Sequence, residues 1–276
     1  MKLKNINITQ LLKKYAIRPT KGLGQNFLID DSALKKIVAA ADVSSNDVVL
    51  EIGPGLGSLT RYLAAAAKSV VAVEIDKALL GPFAEVVKPF GNIKIINRDI
   101  LKVDLAELFG VKNYLVVANI PYYITSALLR HLLESKSNPS RIVLTVQKEV
   151  AMRICEKPGN MSLLALSVQV FGEPSIVAKI PAGAFYPAPN VDSAVVRIDL
   201  FDKPKIEKEE LDLFFKIIKA GFSQKRKMLR NTLSSGMSWG KEKTEKLLKD
   251  VDIDPSRRAQ TLSMDEWGEI VKSVKQ

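Results

Sequence analysis

The chain has 276 residues, 47% hydrophobic and 26% charged, which excludes wholesale disorder and leaves room for about two domains of ~150 residues. Its one cysteine, Cys155, excludes an intrachain disulfide; no Cys/His cluster has zinc spacing, and no apolar run approaches a membrane span of ~18 residues or a signal-peptide core. A cytoplasmic protein is expected, with 41 Lys+Arg against 30 Asp+Glu and a net charge of +11.

Residues 1–29 hold six basic side chains (Lys2, Lys4, Lys13, Lys14, Arg18 and Lys21) and no acid. A helix is predicted over Ala33–Ala41, capped by Asp31 or Ser32. Strand-like runs follow at Val48–Ile52, Val70–Glu74, Ile93–Ile96, Tyr114–Ala118 and Arg141–Val146. Helix-period stretches lie between them at Leu59–Ala67, Ala78–Val87, Leu101–Leu108 and Ile124–Leu133. This alternation implies βαβ units and a mostly parallel sheet, an α/β fold. Ser162–Val170 reads as a helix, and Ser175–Ile180 and Ala194–Leu200 as strands. The intervening AGAFYPAPNVDS reads as a loop.

Charge balances over residues 30–202, with 18 of each sign. FDKPKIEK, around Pro204, reads as a linker, which divides the chain into domains 1–202 and 203–276. The second holds 17 basic and 12 acidic residues in all, with helical segments at Glu209–Lys219, Lys225–Leu233, Glu242–Lys249 and Asp265–Val274. Basic ends around a neutral middle suit a catalytic body flanked by polyanion-binding segments, though a merely soluble surface reads the same way.

The first chemical signal is Glu51-Ile52-Gly53-Pro54-Gly55-Leu56-Gly57, where the first predicted strand meets a helix. Glycines there let backbone N–H groups and a helix N-terminus approach a ligand. The third glycine comes one position too early for a dinucleotide fingerprint, and the spacing suits S-adenosylmethionine enzymes better. A plain strand-to-helix turn would look similar. Glu74 ends the next strand, where an acid accepts from both ribose hydroxyls of a bound adenosine. Asp99 follows the third, placed to accept from the cofactor's adenine amine. Either acid alone reads as a solvated strand-end charge; three ligand-type residues at three consecutive strand ends mark a site.

The fourth strand ends in Asn119-Ile120-Pro121-Tyr122. An adenine amine is a poor nucleophile because its lone pair is delocalised into the ring. Acceptors on the Asn119 side chain and the Ile120 or Pro121 carbonyl can hold its two N–H groups out of plane and localise that pair. Tyr122 would stack on the base, worth ~1–3 kcal/mol, and Pro121 stiffens the turn. A strand-ending turn with a packing aromatic is the bland alternative, and Tyr123 is expected to pack. The only histidine, His131, falls on the following helix as a surface residue, so no histidine triad or metal chemistry is expected.

With these pieces in place, the chain resembles the KsgA/RsmA-type ribosomal RNA adenine dimethyltransferases. The matching stretches are Gly22–Leu28, VLEIGPGLGSLT (49–60), VEID (73–76), RDIL (98–101), NIPYYIT (119–125), QKEVAMRI (147–154), FYPAPNVDS (185–193) and FSQKRKMLRNTL (222–233). The resemblance implies a Rossmann-like, seven-stranded class I methyltransferase domain with a small C-terminal helical domain that binds RNA. It implies transfer of methyl groups from S-adenosyl-L-methionine to N6 of two adjacent adenosines in the 3′-terminal hairpin of 16S rRNA. The implied partner is the immature 30S subunit, met by a monomer without a membrane. Carried over by position, Asn26 and Leu28 close over the methionine part of the cofactor, and Gly53 and Gly55 approach it from the loop. Glu74 binds the ribose, Asp99 the adenine, and Asn119 bridges cofactor and target. Phe185 forms the second wall of a base clamp opposite Tyr122; read without the family, it is a loop aromatic on the sheet rim.

Other readings are an Erm-like 23S rRNA enzyme, a DNA adenine methyltransferase, an assembly factor with secondary catalysis, and a nicotinamide-dependent oxidoreductase. Leu213–Lys241 holds seven basic residues and no acid. Within it Lys225, Arg226, Lys227 and Arg230 are expected to contact rRNA phosphates or line the entry to the base pocket; a solvated helical face is the alternative.

Overall fold

Central strands such as VVLEI and LVVAN are apolar on both faces, and only a sheet covered on both sides buries them. The computed structural model, which describes Leu3, residues 6–110 and residues 113–274, has that architecture. Lys2 and Lys4 lie outside the described residues. The strands are β1 (Phe27–Leu28), β2 (Val48–Ile52), β3 (Ser69–Glu74), β4 (Ile93–Asn97), β5 (Leu115–Asn119), β6 (Arg141–Gln147), β7 (Gly172–Ile180), β8 (Phe185–Tyr186) and β9 (Ser193–Leu200). The helices are α1 (Ile8–Lys14), α2 (Asp31–Ala41), α3 (Thr60–Ala66), α4 (Leu80–Val87), α5 (Leu105–Phe109), α6 (Thr125–Leu133), α7 (Lys148–Ile154), α8 (Leu163–Gln169), α9 (Leu211–Gly221), α10 (Leu229–Met237), α11 (Lys241–Asp250) and α12 (Met264–Ser273).

Seven strands form one sheet in the order β4–β3–β2–β5–β6–β9–β7. β2 through β6 pair in parallel, and β9 runs antiparallel to β6. Chain order reverses between β2 and β5, the switch point at which open α/β sheets form a crevice beyond the strand ends. The fold is therefore the expected seven-stranded α/β sheet. Val49, Leu50, Val116 and Val117 at its centre are fully buried. The cap of α2 is Asp30, not Asp31 or Ser32: its carboxylate accepts from Ala33 N–H at 2.7 Å.

The chain folds as two compact units, residues 1–151 with 175–200, and residues 152–174 with 201–276. Composition alone places residues 152–174 with the sheet. Their backbone explains the difference, because Phe201 and Lys205 N–H donate to the Phe171 and Val170 carbonyls, both at 2.9 Å. The Gly159 and Met161 N–H groups reach the Gln260 carbonyl at 3.1 and 3.0 Å. The stretch around Pro204 is thus docked rather than a free linker, and Ile206 is buried. In this unit Trp267 is fully buried against Gly221, and α9 and α10 cross where Gly236 meets Ala220. α10 begins four residues later than the predicted Lys225, because the Leu229 and Arg230 N–H groups find the Arg257 and Pro255 carbonyls at 2.7 and 3.2 Å.

Candidate active site

Beyond β2 the chain turns through Gly53, Gly55 and Gly57, all at positive φ (64°, 58° and 82°). At Gly55 a side chain would meet the Phe27 ring at 3.2 Å, and its N–H donates to Glu74 Oε2 at 3.0 Å. Gly57 faces away from the turn, where a Cβ would press on Val86 and Val87 of α4 at 3.2 and 3.1 Å. All three glycines thus answer to the backbone of the turn, and the third also to the packing of α4.

The strand ends converge on one pocket lined by Asn26, Gly53, Gly55, Glu74, Asp99, Asn119 and Tyr122. Glu74, buried at the end of β3, also accepts from Asp76 N–H at 2.8 Å. Burial holds its carboxyl above the usual carboxylate range, and the backbone donors of Asp76, Gly55 and Ile75 pull it back. Asp99 accepts from Leu101 N–H at 3.0 Å through one oxygen, capping the short turn at 100–102. Asn119 Nδ2 donates to the Asn26 carbonyl at 3.2 Å. Flipping the amide would set two oxygens against each other, so Oδ1 is the atom left to accept. The N-terminal segment closes this side: Gln25 donates to Asp76 at 2.6 Å, and a Cβ on Gly24 would lie 3.1 Å from Pro121 and 3.3 Å from the Tyr123 ring.

Two expected site residues are elsewhere. Leu28 and Phe185, each 3% exposed, pair with one another across β1 and β8 and pack in the core with Ile37, Leu63 and Val195. Side chains alternate along a strand, so the register that buries Phe185 leaves Tyr186 exposed. Phe185 therefore does not line the pocket opposite Tyr122. Conversely, Tyr123 does not pack away as expected; it is 63% exposed at the pocket. Gln25, Ile75, Arg98 and Ile100 also line it. Ile75 carried a signal, an apolar residue beside Glu74 at a strand end. Arg98 carried none beyond its place in RDIL.

Behind the glycine turn Glu51 is fully buried, and its Oε2 has no hydrogen-bond partner. Burial lifts its pKa from 4.5 to about 8; Thr60, near but not in bonding geometry, offsets part of the rise, and the Glu74 charge adds to it. The folded protein thus holds a proton here that the unfolded chain releases above pH 4.5, so this group lowers stability as pH rises from 4.5 to about 8. Glu51→Gln keeps the shape without the charge, and the melting-temperature gap between mutant and wild type is expected to widen across that range. A constant gap would show that Glu51 is ionised in the fold.

The profile of the ribosomal RNA adenine dimethylase family matches residues 18–276. The chain belongs to that family. Ribosomal RNA small subunit methyltransferase A of Dehalococcoides mccartyi (strain CBDB1) is 48% identical over 260 residues, covering 94% of this chain and 89% of that one. The protein of the same name from Pelotomaculum thermopropionicum is 43% identical, over 96% and 95%. Among solved structures, a dimethyladenosine transferase from Plasmodium falciparum superposes with a TM-score of 0.77 at 25% identity, covering 90% of this chain and 97% of that one. The 23S rRNA methyltransferase ErmE gives 0.74 at 26%, over 91% and 100%. Family membership makes the chain a methyltransferase, and enzymes of this kind use S-adenosylmethionine. The residues present fit that group: a buried carboxylate with lone pairs to spare, a turn without side chains, and a second carboxylate one strand over.

Proposed function

We propose that this chain transfers methyl groups from S-adenosylmethionine to N6 of two adjacent adenosines in the 3′-terminal hairpin of 16S rRNA, as a monomer on the immature 30S subunit. The observation that carries this reading is the meeting in one pocket of Asn119-Ile120-Pro121-Tyr122 with the glycine turn and Glu74. The small-subunit target is supported by the names of the most similar relatives.

When bound, S-adenosylmethionine supplies a sulfonium methyl made electrophilic by the sulfur's positive charge. Glu74 would accept from the two ribose hydroxyls and Asp99 from the adenine amine, in the pocket that Ile75 and Ile100 also line. Asn26 would hold the methionine part, while Leu28 anchors the same segment in the core. Asn119 Oδ1 accepts one N–H of the target amine. The second acceptor is the Ile120 or the Pro121 carbonyl, of which that of Pro121 already accepts from Ile124 N–H at 3.2 Å and has one lone pair left. Holding both N–H groups frees the lone pair from the ring. Tyr122 carries the base, which must leave its stack to arrive, and Phe185 braces β1 rather than the base. The work is positioning, so no strong base is required; the amine's proton leaves to water once nitrogen is alkylated.

Methylation of immature 30S particles but not of protein-free 23S rRNA is the expected outcome, with dimethyladenosine missing from 16S rRNA of cells lacking the protein. The reverse preference would favour the ErmE-like reading. Intact dimethyladenosine in such cells would leave an assembly role.

The helical unit is proposed to hold the RNA. Lys225, Arg226 and Lys227 are exposed in the turn before α10, and no ion pair engages them among the described residues. Arg230 is instead committed to Glu245 at 2.9 Å. Replacing the three with glutamine is expected to reduce the slope of log K against log salt by ~1 per lost phosphate contact, with cofactor affinity unchanged. A wild-type slope would make them a solvated turn.

A further inference from the structure

FYPAPNVDS belongs to the shared pattern of this chain, yet the first of its two aromatic residues, Phe185, is in the core. Its last residue reaches the site. Ser193 opens β9 opposite Gln147 of β6 and is fully buried. Its hydroxyl shares a hydrogen bond of 2.6 Å with the Tyr122 hydroxyl, either able to donate. The other end of Tyr122 is held as well, because buried Thr125 donates to its carbonyl at 2.9 Å. A tyrosine pinned at backbone and at ring tip keeps one ring position before any base arrives.

We infer that Ser193 is a positioning residue for methyl transfer, fixing the Tyr122 ring as a preorganised platform for the target base. The inference rests on the reading of Tyr122 as that platform. A phenol tip free to swing would misplace the stacked base, and a misplacement of ~1 Å can cost ~100-fold in rate. Burial raises the Tyr122 pKa and Ser193 only partly counters this, so the phenol stays protonated and the bond is one between neutral hydroxyls. Ser193 thereby links the start of β9 to the turn after β5, strands separated in the sheet by β6.

The test is a double-mutant cycle with single-turnover methylation at saturating cofactor. A second readout is the fluorescence of RNA carrying 2-aminopurine at the target position, which stacking quenches. Ser193→Ala and Tyr122→Phe are each expected to lower the rate ~10-fold and weaken the quenching, with RNA and cofactor affinities retained. Ser193→Ala/Tyr122→Phe, which leaves neither hydroxyl orphaned, is expected to match Tyr122→Phe alone, and this comparison stands even where Ser193→Ala alone folds poorly. A double mutant slower than Tyr122→Phe would overturn the inference, because Ser193 would then act by another route. Wild-type rate and quenching in Ser193→Ala, alongside a damaged Tyr122→Ala, would overturn it while leaving the platform reading intact. An undamaged Tyr122→Ala would overturn both.

Discussion

Asn119→Ala is expected to lower the single-turnover methylation rate ~100-fold or more while RNA affinity holds, because the amide places the reacting amine rather than gripping the polymer. The proposed mechanism puts one atom at stake. Nδ2 is tied to the Asn26 carbonyl at 3.2 Å, so Oδ1 is the acceptor that alanine removes. Asn119→Asp keeps an oxygen at that place but loses the tether, and an intermediate rate is expected. A near-normal rate in the alanine variant would refute the role. Because the tether joins β5 to the N-terminal segment, cofactor affinity should be measured in parallel, so that a loosened pocket is not mistaken for a lost acceptor.

The second large effect is expected at Glu74. Glu74→Ala should weaken S-adenosylmethionine binding by ~1.5–3 kcal/mol for each charge-assisted ribose hydrogen bond, which calorimetry reads as a loss of two or more decades in affinity. It also orphans the N–H groups of Gly55 and Asp76, so a lower melting temperature should accompany it without loss of the fold. Glu74→Gln does not rescue, since its amide must set an N–H against one of those donors. Hydroxyl donors favour the ionised carboxylate, whose pKa burial has raised. Affinity should therefore rise with pH through that titration. Unchanged calorimetric affinity in the alanine variant would remove Glu74 from the site.

What was legible in the chain follows from the range of the forces involved. Strands β2, β3, β5 and β6 announce themselves because the sheet interior demands β-branched, apolar runs, and the edge strand β4, half-exposed, shows in its three isoleucines; the ends of all five are legible to within a residue or so. Glu74, Asp99 and Asn119 were legible because a parallel sheet brings successive strand ends to one crevice. The two-residue pair β1–β8 was not, since its pairing joins positions far apart in the chain. Nor was the face of Phe185, because a one-residue change of register exchanges it with Tyr186. The start of α10 depends on carbonyls at Pro255 and Arg257, which no local propensity reports. The exposure of Tyr123 escapes the sequence for a related reason: an aromatic ring normally seeks the core, and only the approach of Gly24, distant in the chain, places it at the pocket.

The helical unit is assembled from two stretches of chain, with the sheet's last strands between them. It is therefore no cassette. A chain cut after Leu200 would retain residues 152–174 and strip Phe171 of the Phe215 ring beside it, and the Val170 and Phe171 carbonyls of their donors. Such a fragment would present bare apolar surface and aggregate, however well its sheet formed. Exchange of this unit between relatives needs two junctions made together, one near 151–175 and one near 200. Recombination that moves only the C-terminal tail would join halves of two different cores. The two parts are thus constrained to descend as a set.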